Sequence, residues 1–256
     1  MRSQFIQKTF TLICALAMIG TISAQKVRVA AAANLRYVME DIKKQYEKAY
    51  PKSKVDITFG SSGTLTQQIL NGAAYDFFMA ADKDFPVKLK AKGATTGAIQ
   101  TYAIGKLVMW STGTDLSKGL NTILSPNVKK IAVANPATAP YGEAAISLLK
   151  DKGLYDKVSG KIVYGESISQ AAQFAFTGNV EIGFIALSLA KAPDMKGKGI
   201  YYEIPASMMK EPIEQACVLI KGWERNGEAA RFMKYVLSPK CYSLWEEYGY
   251  TPATKK

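Results

Sequence analysis

Lys26-Val27-Arg28-Val29-Ala30-Ala31-Ala32-Ala33-Asn34-Leu35 alternates charged and apolar residues, passes through four alanines and meets an asparagine where a helical pattern begins. It reads as a β-strand running directly into a helix. Behind it, Leu35, Val38, Met39, Ile42, Tyr46 and Ala49 recur at spacings of three and four, one apolar helix face that stops before Pro51. A strand that ends in small residues before an N-capping side chain leaves backbone N–H groups free at the helix start, where anions are favoured. One such junction is a weak signal, and its weight depends on recurrence.

It recurs. The alternating run Val55-Asp56-Ile57-Thr58-Phe59 leads into Gly60-Ser61-Ser62-Gly63-Thr64-Leu65 and a helix ending at Gly72, and Phe77-Phe78-Met79-Ala80 leads to Asp82, a predicted N-cap, and a helix ending at Gly93. In the second half Lys106 to Trp110 reads as a strand, and Ile131-Ala132-Val133-Ala134 precedes Asn135 through Ala139-Pro140-Tyr141-Gly142 and a helix over residues 144–149. Lys161 to Tyr164 precedes Gly165-Glu166-Ser167-Ile168-Ser169-Gln170, where Ser167 and Gln170 have capping-box spacing. Ile182 to Ala186 and Ala216 to Ile220 read as buried strands, and two helices close the chain, one around Ala229 to Leu237 and one opened by Ser238-Pro239. Strands alternating with helices predict an α/β chain with a mostly parallel sheet.

Four junctions, at residues 30–35, 60–65, 139–142 and 165–170, contain no Lys or Arg. If they converge at the carboxyl ends of the strands they form a cage of donors, which suits a fully ionised dianion better than a protonated oxyanion that needs an acceptor. Glu166 is the one acid nearby and must point away. Each piece also has a plainer reading: Asn34 and Ser62 as helix caps, Ser167 and Gln170 as a capping box, Tyr141 as packing.

Composition narrows the class. Met1 to Lys8 is short and basic, Phe10 to Ile22 is apolar and Ser23-Ala24 is small, a predicted secretory signal peptide spanning residues 1–24. The apolar run is short of the about 20 residues a membrane span needs. Losing Arg2 and Lys8 with it lowers the formal charge from +12 to +10. The remaining Lys and Arg are scattered, which fits attraction of a small anion and argues against nucleic acid. Histidine is absent, removing the commonest general base and transition-metal ligand. Cys217 and Cys241 have no metal-ligand spacing and read as two buried thiols or one disulfide. The 232 residues left are enough for two lobes, with chain crossings near Tyr102 to Gly105 and Glu203 to Pro205. That assigns residues 25–103 and 205–256 to lobe I and residues 104–204 to lobe II.

The stretches Ala31 to Leu35, Phe59 to Leu65, Asp76 to Asp82, Asn135 to Gly142 and Gly183-Phe184 together resemble the periplasmic molybdate-binding proteins of ABC importers, over essentially the whole mature length. The resemblance implies the two-lobed type II periplasmic-binding-protein fold with the ligand between the lobes. It also implies capture of molybdate or tungstate for a membrane permease, extracytoplasmic location, a monomer, and neither catalysis nor a cofactor. Carried over by position, the ligand donors are Asn34, Ser62 and the backbone N–H groups of Tyr141 and Ile168. Relatives place a hydroxyl at the positions of Ala33 and Ala186, so Ser61 or Ser169 is expected to fill a remaining place. Alternatives are a carrier of sulfate or another tetrahedral oxyanion, and an enzyme with Ser62 as nucleophile and a lysine as base.

Overall fold

The computed structural model describes residues 25–225 and 227–253; the expected signal peptide, residues 1–24, lies outside them. Eleven strands are described: β1 Gln25–Ala32, β2 Ser53–Gly60, β3 Phe77–Met79, β4 Thr95–Gly105, β5 Leu107–Ser111, β6 Ile131–Ala134, β7 Ile162–Gly165, β8 Ile182–Ala186, β9 Ile200–Glu203, β10 Ile213–Ile220 and β11 Thr251–Pro252. They form two sheets, one in the order β11-β4-β10-β3-β1-β2 and the other β7-β6-β8-β5-β9.

β1 sits between β2 and β3, parallel to both, which explains its alanine run. Both faces of the strand are covered. Ala31 faces the main core with Val27 and Val29, whereas Ala30 packs in a second cluster with Leu65, Ile69, Phe78 and Val218. A strand buried on both sides reads as a continuous apolar run. Arg28 pins its neighbour, donating from Nη2 to Asp76 Oδ1 at 2.7 Å and from Nε to Asp76 Oδ2 at 3.0 Å.

The expectation of mostly parallel sheets needs correcting, because both sheets are mixed. β1 with β2 and β3, and β6 with β7 and β8, are parallel pairs built by strand–helix–strand crossovers. β10 is antiparallel to β3 and β4, and β5 is antiparallel to β8 and β9. These are the strands by which the chain leaves and re-enters each sheet. β4 and β5 are separated by Lys106 alone, so the chain passes from one sheet to the other without a helix to reverse its direction.

The helices behind the junctions run over Arg36–Ala49, Ser62–Leu70, Asp84–Ala91, Pro140–Asp151 and Ile168–Phe176, and Glu228–Val236 and Tyr242–Glu247 close the chain. Three strands have no counterpart in the sequence reading: β4, β9 and β11. β4 is half exposed, contains Gly97 at φ 73 and pairs with β10 through register shifts, so it lacks a clean period of two. Cys217 and Cys241 are buried and free, settling the open alternative in favour of two thiols.

Candidate functional site

Three helix N-termini and one short helical turn meet between the two sheets. Ala33–Leu35 form a 3-10 turn after β1; Ser62–Leu70 starts one residue after β2 ends; Pro140–Asp151 follows β6; and Ile168–Phe176 follows β7. Ala33, Asn34, Ser61, Ser62, Tyr141 and Ile168 surround a small cavity with Ala32, Ala81, Ala139 and Pro140, in which the centre of a water-sized sphere has about 10 Å3 to move. Space on that scale is about that of one water molecule.

The donors come from local geometry. Asn34, Ser62, Tyr141 and Ile168 stand in the first turns of their helices, where no helical carbonyl reaches their N–H groups. Ser62 Oγ accepts from the Ala81 N–H at 3.0 Å, which occupies a lone pair and leaves the hydroxyl proton to donate. No acid, lysine or arginine is among the residues lining the cavity. A lysine base for a Ser62 nucleophile is therefore lacking there. Glu166 is exposed, its N–H donating to Gln170 Oε1 at 2.6 Å, while Ser167 Oγ accepts from the Gln170 N–H at 3.3 Å. The capping box at this junction thus forms as expected, with Gln170 reaching one residue further back.

Three side chains behave otherwise than the sequence suggests. Asn34 caps no helix: the helix beginning at Arg36 has no side-chain cap, and Asn34 Nδ2 donates to Gln215 Oε1 and Tyr250 Oη, both at 2.9 Å. Ser61, not Ser62, is the N-cap of its helix; its hydroxyl accepts from the Thr64 N–H and donates to Thr64 Oγ1, so it is already engaged although it lines the cavity. Ser169 is outside the lining and donates to the Ala33 carbonyl at 3.1 Å. Ala186 is fully buried and also outside the lining.

The helix starting at Ser62 meets the turn after β6 at this point. Gly63 N–H donates to the Thr138 carbonyl at 2.9 Å, and a Cβ on Gly63 would lie 2.8 Å from Thr138 Cα. On the outer side, Tyr37 Oη donates to Asp194 Oδ2 at 2.6 Å.

A model of the bacterial extracellular solute-binding proteins matches residues 27–251, nearly the whole described chain. The chain belongs to this family. Within it, the molybdate-binding protein ModA of Azotobacter vinelandii is 40% identical over 229 residues, covering 89% of this chain and 90% of that protein. The ModA of Rhodobacter capsulatus is 34% identical over 229 residues, covering 89% of each. Among solved structures, the Azotobacter vinelandii periplasmic molybdate-binding protein superposes with a TM-score of 0.83 at 34% identity, covering 89% of this chain and all of that one. The fold of this solute-binding protein is thus the periplasmic-binding-protein fold that the resemblance implies.

Next to the small cavity lies a wider cleft of about 470 Å3 on the same measure, bordered by Asp82, Asp84, Glu143, Glu211 and Glu214 and by Lys83 and Lys210. Burial pushes the Asp82 carboxyl up to about 6, against a hydrogen bond from the Phe85 N–H, with the negative charges of Asp84 and Glu143 adding to the rise. Asp82 follows β3 of one sheet and Glu143 lies in the helix Pro140–Asp151 that follows β6 of the other, and both border the cleft. Of the residues behind the site, Gln215, Tyr102, Tyr250 and Ser188 escaped the sequence reading. The sequence carries little mark of them: Gln215 stands beside Glu214 at the start of β10, and only the structure shows that its amide is fully buried.

Proposed function

We propose that this protein captures molybdate, and tungstate alike, outside the cytoplasm and hands it to the membrane permease of an ABC importer. The observation that carries the reading is the small, uncharged, donor-lined cavity between the sheets, together with relatives named as molybdate-binding proteins. Helix N-termini favour an anion, and backbone N–H groups plus the Ser62 hydroxyl offer donors with no charged acceptor opposing them. A dianion accepts from all of them. An oxyanion that keeps a proton finds no carboxylate in the lining to accept it, which disfavours phosphate.

Asn34, Ser62, Tyr141 and Ile168 are the proposed ligand residues, with Ala33 contributing backbone. Binding moves no covalent bond and uses no cofactor. The lobes are assigned as residues 25–103 with 205–256, and residues 104–204. The division of β1–β4, β10 and β11 from β5–β9 supports this, with the sheet change falling at Lys106. Among the described residues no helix is long and apolar enough to cross a membrane, compatible with an exported monomer delivering its ion to a permease. The scattered basic charge assists capture of an anion and suits no nucleic acid.

Selectivity over sulfate is a matter of size: a smaller tetrahedron leaves donors unpaired, at about 1–3 kcal/mol each. Calorimetry with molybdate, tungstate, sulfate and phosphate tests the reading. Tight and similar binding of the first two, with sulfate and phosphate far weaker, is expected. Sulfate bound as tightly as molybdate would instead establish a general oxyanion carrier.

A further inference from the structure

Behind Asn34 lies a side-chain network that the ligand reading does not account for. Asn34 Nδ2 donates to Gln215 Oε1 and Tyr250 Oη, and Gln215 Nε2 donates to Tyr141 Oη, each at 2.9 Å. Tyr102 Oη lies 2.8 Å from both Gln215 Oε1 and the Ala80 carbonyl, and the Ser188 and Tyr250 hydroxyls both lie 2.9 Å from the Asn34 carbonyl. All of these side chains are buried. Two places in the network are unmatched. Asn34 Oδ1 is buried with no partner, and among the described residues Tyr141 Oη, having accepted from Gln215, makes no second hydrogen bond for its own proton.

One concerted move repairs both. The terminal torsions of Asn and Gln are broad and two-fold, so each amide exchanges its oxygen and nitrogen by a half-turn within the same space. With both turned, Gln215 Oε1 accepts the Tyr141 proton, and Gln215 Nε2 donates to Tyr102 Oη and Asn34 Oδ1. Tyr250 then donates to Asn34 Oδ1, Ser188 to the Asn34 carbonyl and Tyr102 to the Ala80 carbonyl. The one group left over is Asn34 Nδ2, in a residue that lines the cavity.

We propose that Gln215 is a positioning residue of the oxyanion seat, its turned amide donating to Asn34 Oδ1 and so holding Asn34 Nδ2 toward the bound ion. This rests on the oxyanion reading above. Without an ion either arrangement leaves a buried polar group of Asn34 unpaired; a bound ion supplies an acceptor to Asn34 Nδ2 only in the turned arrangement and so favours it. The backbone prepares the place. β10 shifts register between Gln215 and Ala216, an irregularity of the kind that re-aims a side chain, and any Cβ on Gly105 would collide with Tyr141 Oη and Gln215 Nε2.

The test is a double-mutant cycle read by molybdate calorimetry on the wild type, Gln215→Leu, Asn34→Ala and the double variant. Gln215→Leu is expected to weaken binding about tenfold in the wild-type background and less than twofold in the Asn34→Ala background. Wild-type-like affinity of Gln215→Leu, or an equal loss in both backgrounds, would overturn the proposal. Should Gln215→Leu fail to fold, nitrogen-labelled wild-type protein gives the same answer by NMR. The side-chain amide signals of Asn34 and Gln215 should both shift on saturation with molybdate, and signals that stay in place while the ion binds would defeat the proposal alone. A wild type that binds no oxyanion would defeat the functional reading with it.

Discussion

Two spaces open between the sheets, and they differ in nearly every property. The wide cleft of about 470 Å3 carries five carboxylates and two lysines, whereas the cavity beside it allows about 10 Å3 and is lined without a single charged side chain. Size alone would choose the wrong one. A dianion approaching the acidic cleft meets like charge, but in the small cavity it meets backbone N–H groups at helix starts and the Ser62 hydroxyl. The net positive charge of the chain therefore acts at a distance, and recognition at contact is left to neutral dipoles.

Making the small cavity resemble the cleft should have the largest effect. Asn34→Asp puts a carboxylate beside the ion, and a unit charge and a dianion about 4 Å apart at an effective dielectric of about 20 repel by about 8 kcal/mol, so affinity should fall by at least about a thousandfold. Calorimetry with molybdate measures it, and an unchanged affinity would mean that Asn34 serves only its internal network. Keeping the donors but holding the walls apart should cost less. Gly63→Ala places a methyl group against Thr138 Cα, and overpacking of about 1–3 kcal/mol predicts a lower melting temperature and, where the walls stay apart, about a tenfold weaker complex. Equal affinity would show that the close approach of Gly63 to Thr138 is not needed for binding.

The smallest effect belongs to the cleft itself. Burial raises the Asp82 carboxyl from 3.8 to about 6. The folded protein thus holds a proton that the unfolded chain releases, so the stability Asp82 contributes is full below about 4 and is lost as pH rises through about 6. Asp82→Asn keeps an oxygen to accept from the Phe85 N–H. Melting curves at pH 4 and pH 7.5 should show the variant gaining on the wild type only at the higher pH, by about 2–4 °C for each kcal/mol recovered. A gain of the same size at both values would place the cause outside this titration.

Much of the architecture was legible because strands and helices here are short, periodic and separated by glycine. The alanine run, the Ser61-Ser62 turn, Tyr141 and Ile168 could be picked out as helix starts before any were known to meet. What could not be read was which atom of each residue is free. Ser61 and Ser62 are equivalent as sequence, yet one hydroxyl caps Thr64 and the other turns to the Ala81 N–H, a distinction made by β3 lying alongside. Ser169 looked like a spare donor and is taken by the Ala33 carbonyl. The mixed sheets went unseen for a related reason: strand direction depends on where the chain returns from, and β4 and β10 carry no local mark of it.

The α/β class, the repeated strand-to-helix junctions, the absence of Lys and Arg around them and the family were all readable from residue type and near-neighbour spacing. Three-dimensional packing is what closes these junctions on one small cavity, sets Asn34 against Gln215 and Tyr250, residues 181 and 216 positions away, and opens a second, acidic space beside it. The physical reason is that hydrogen-bond partnership between buried groups is settled by long-range packing, which brings together atoms that no local pattern relates.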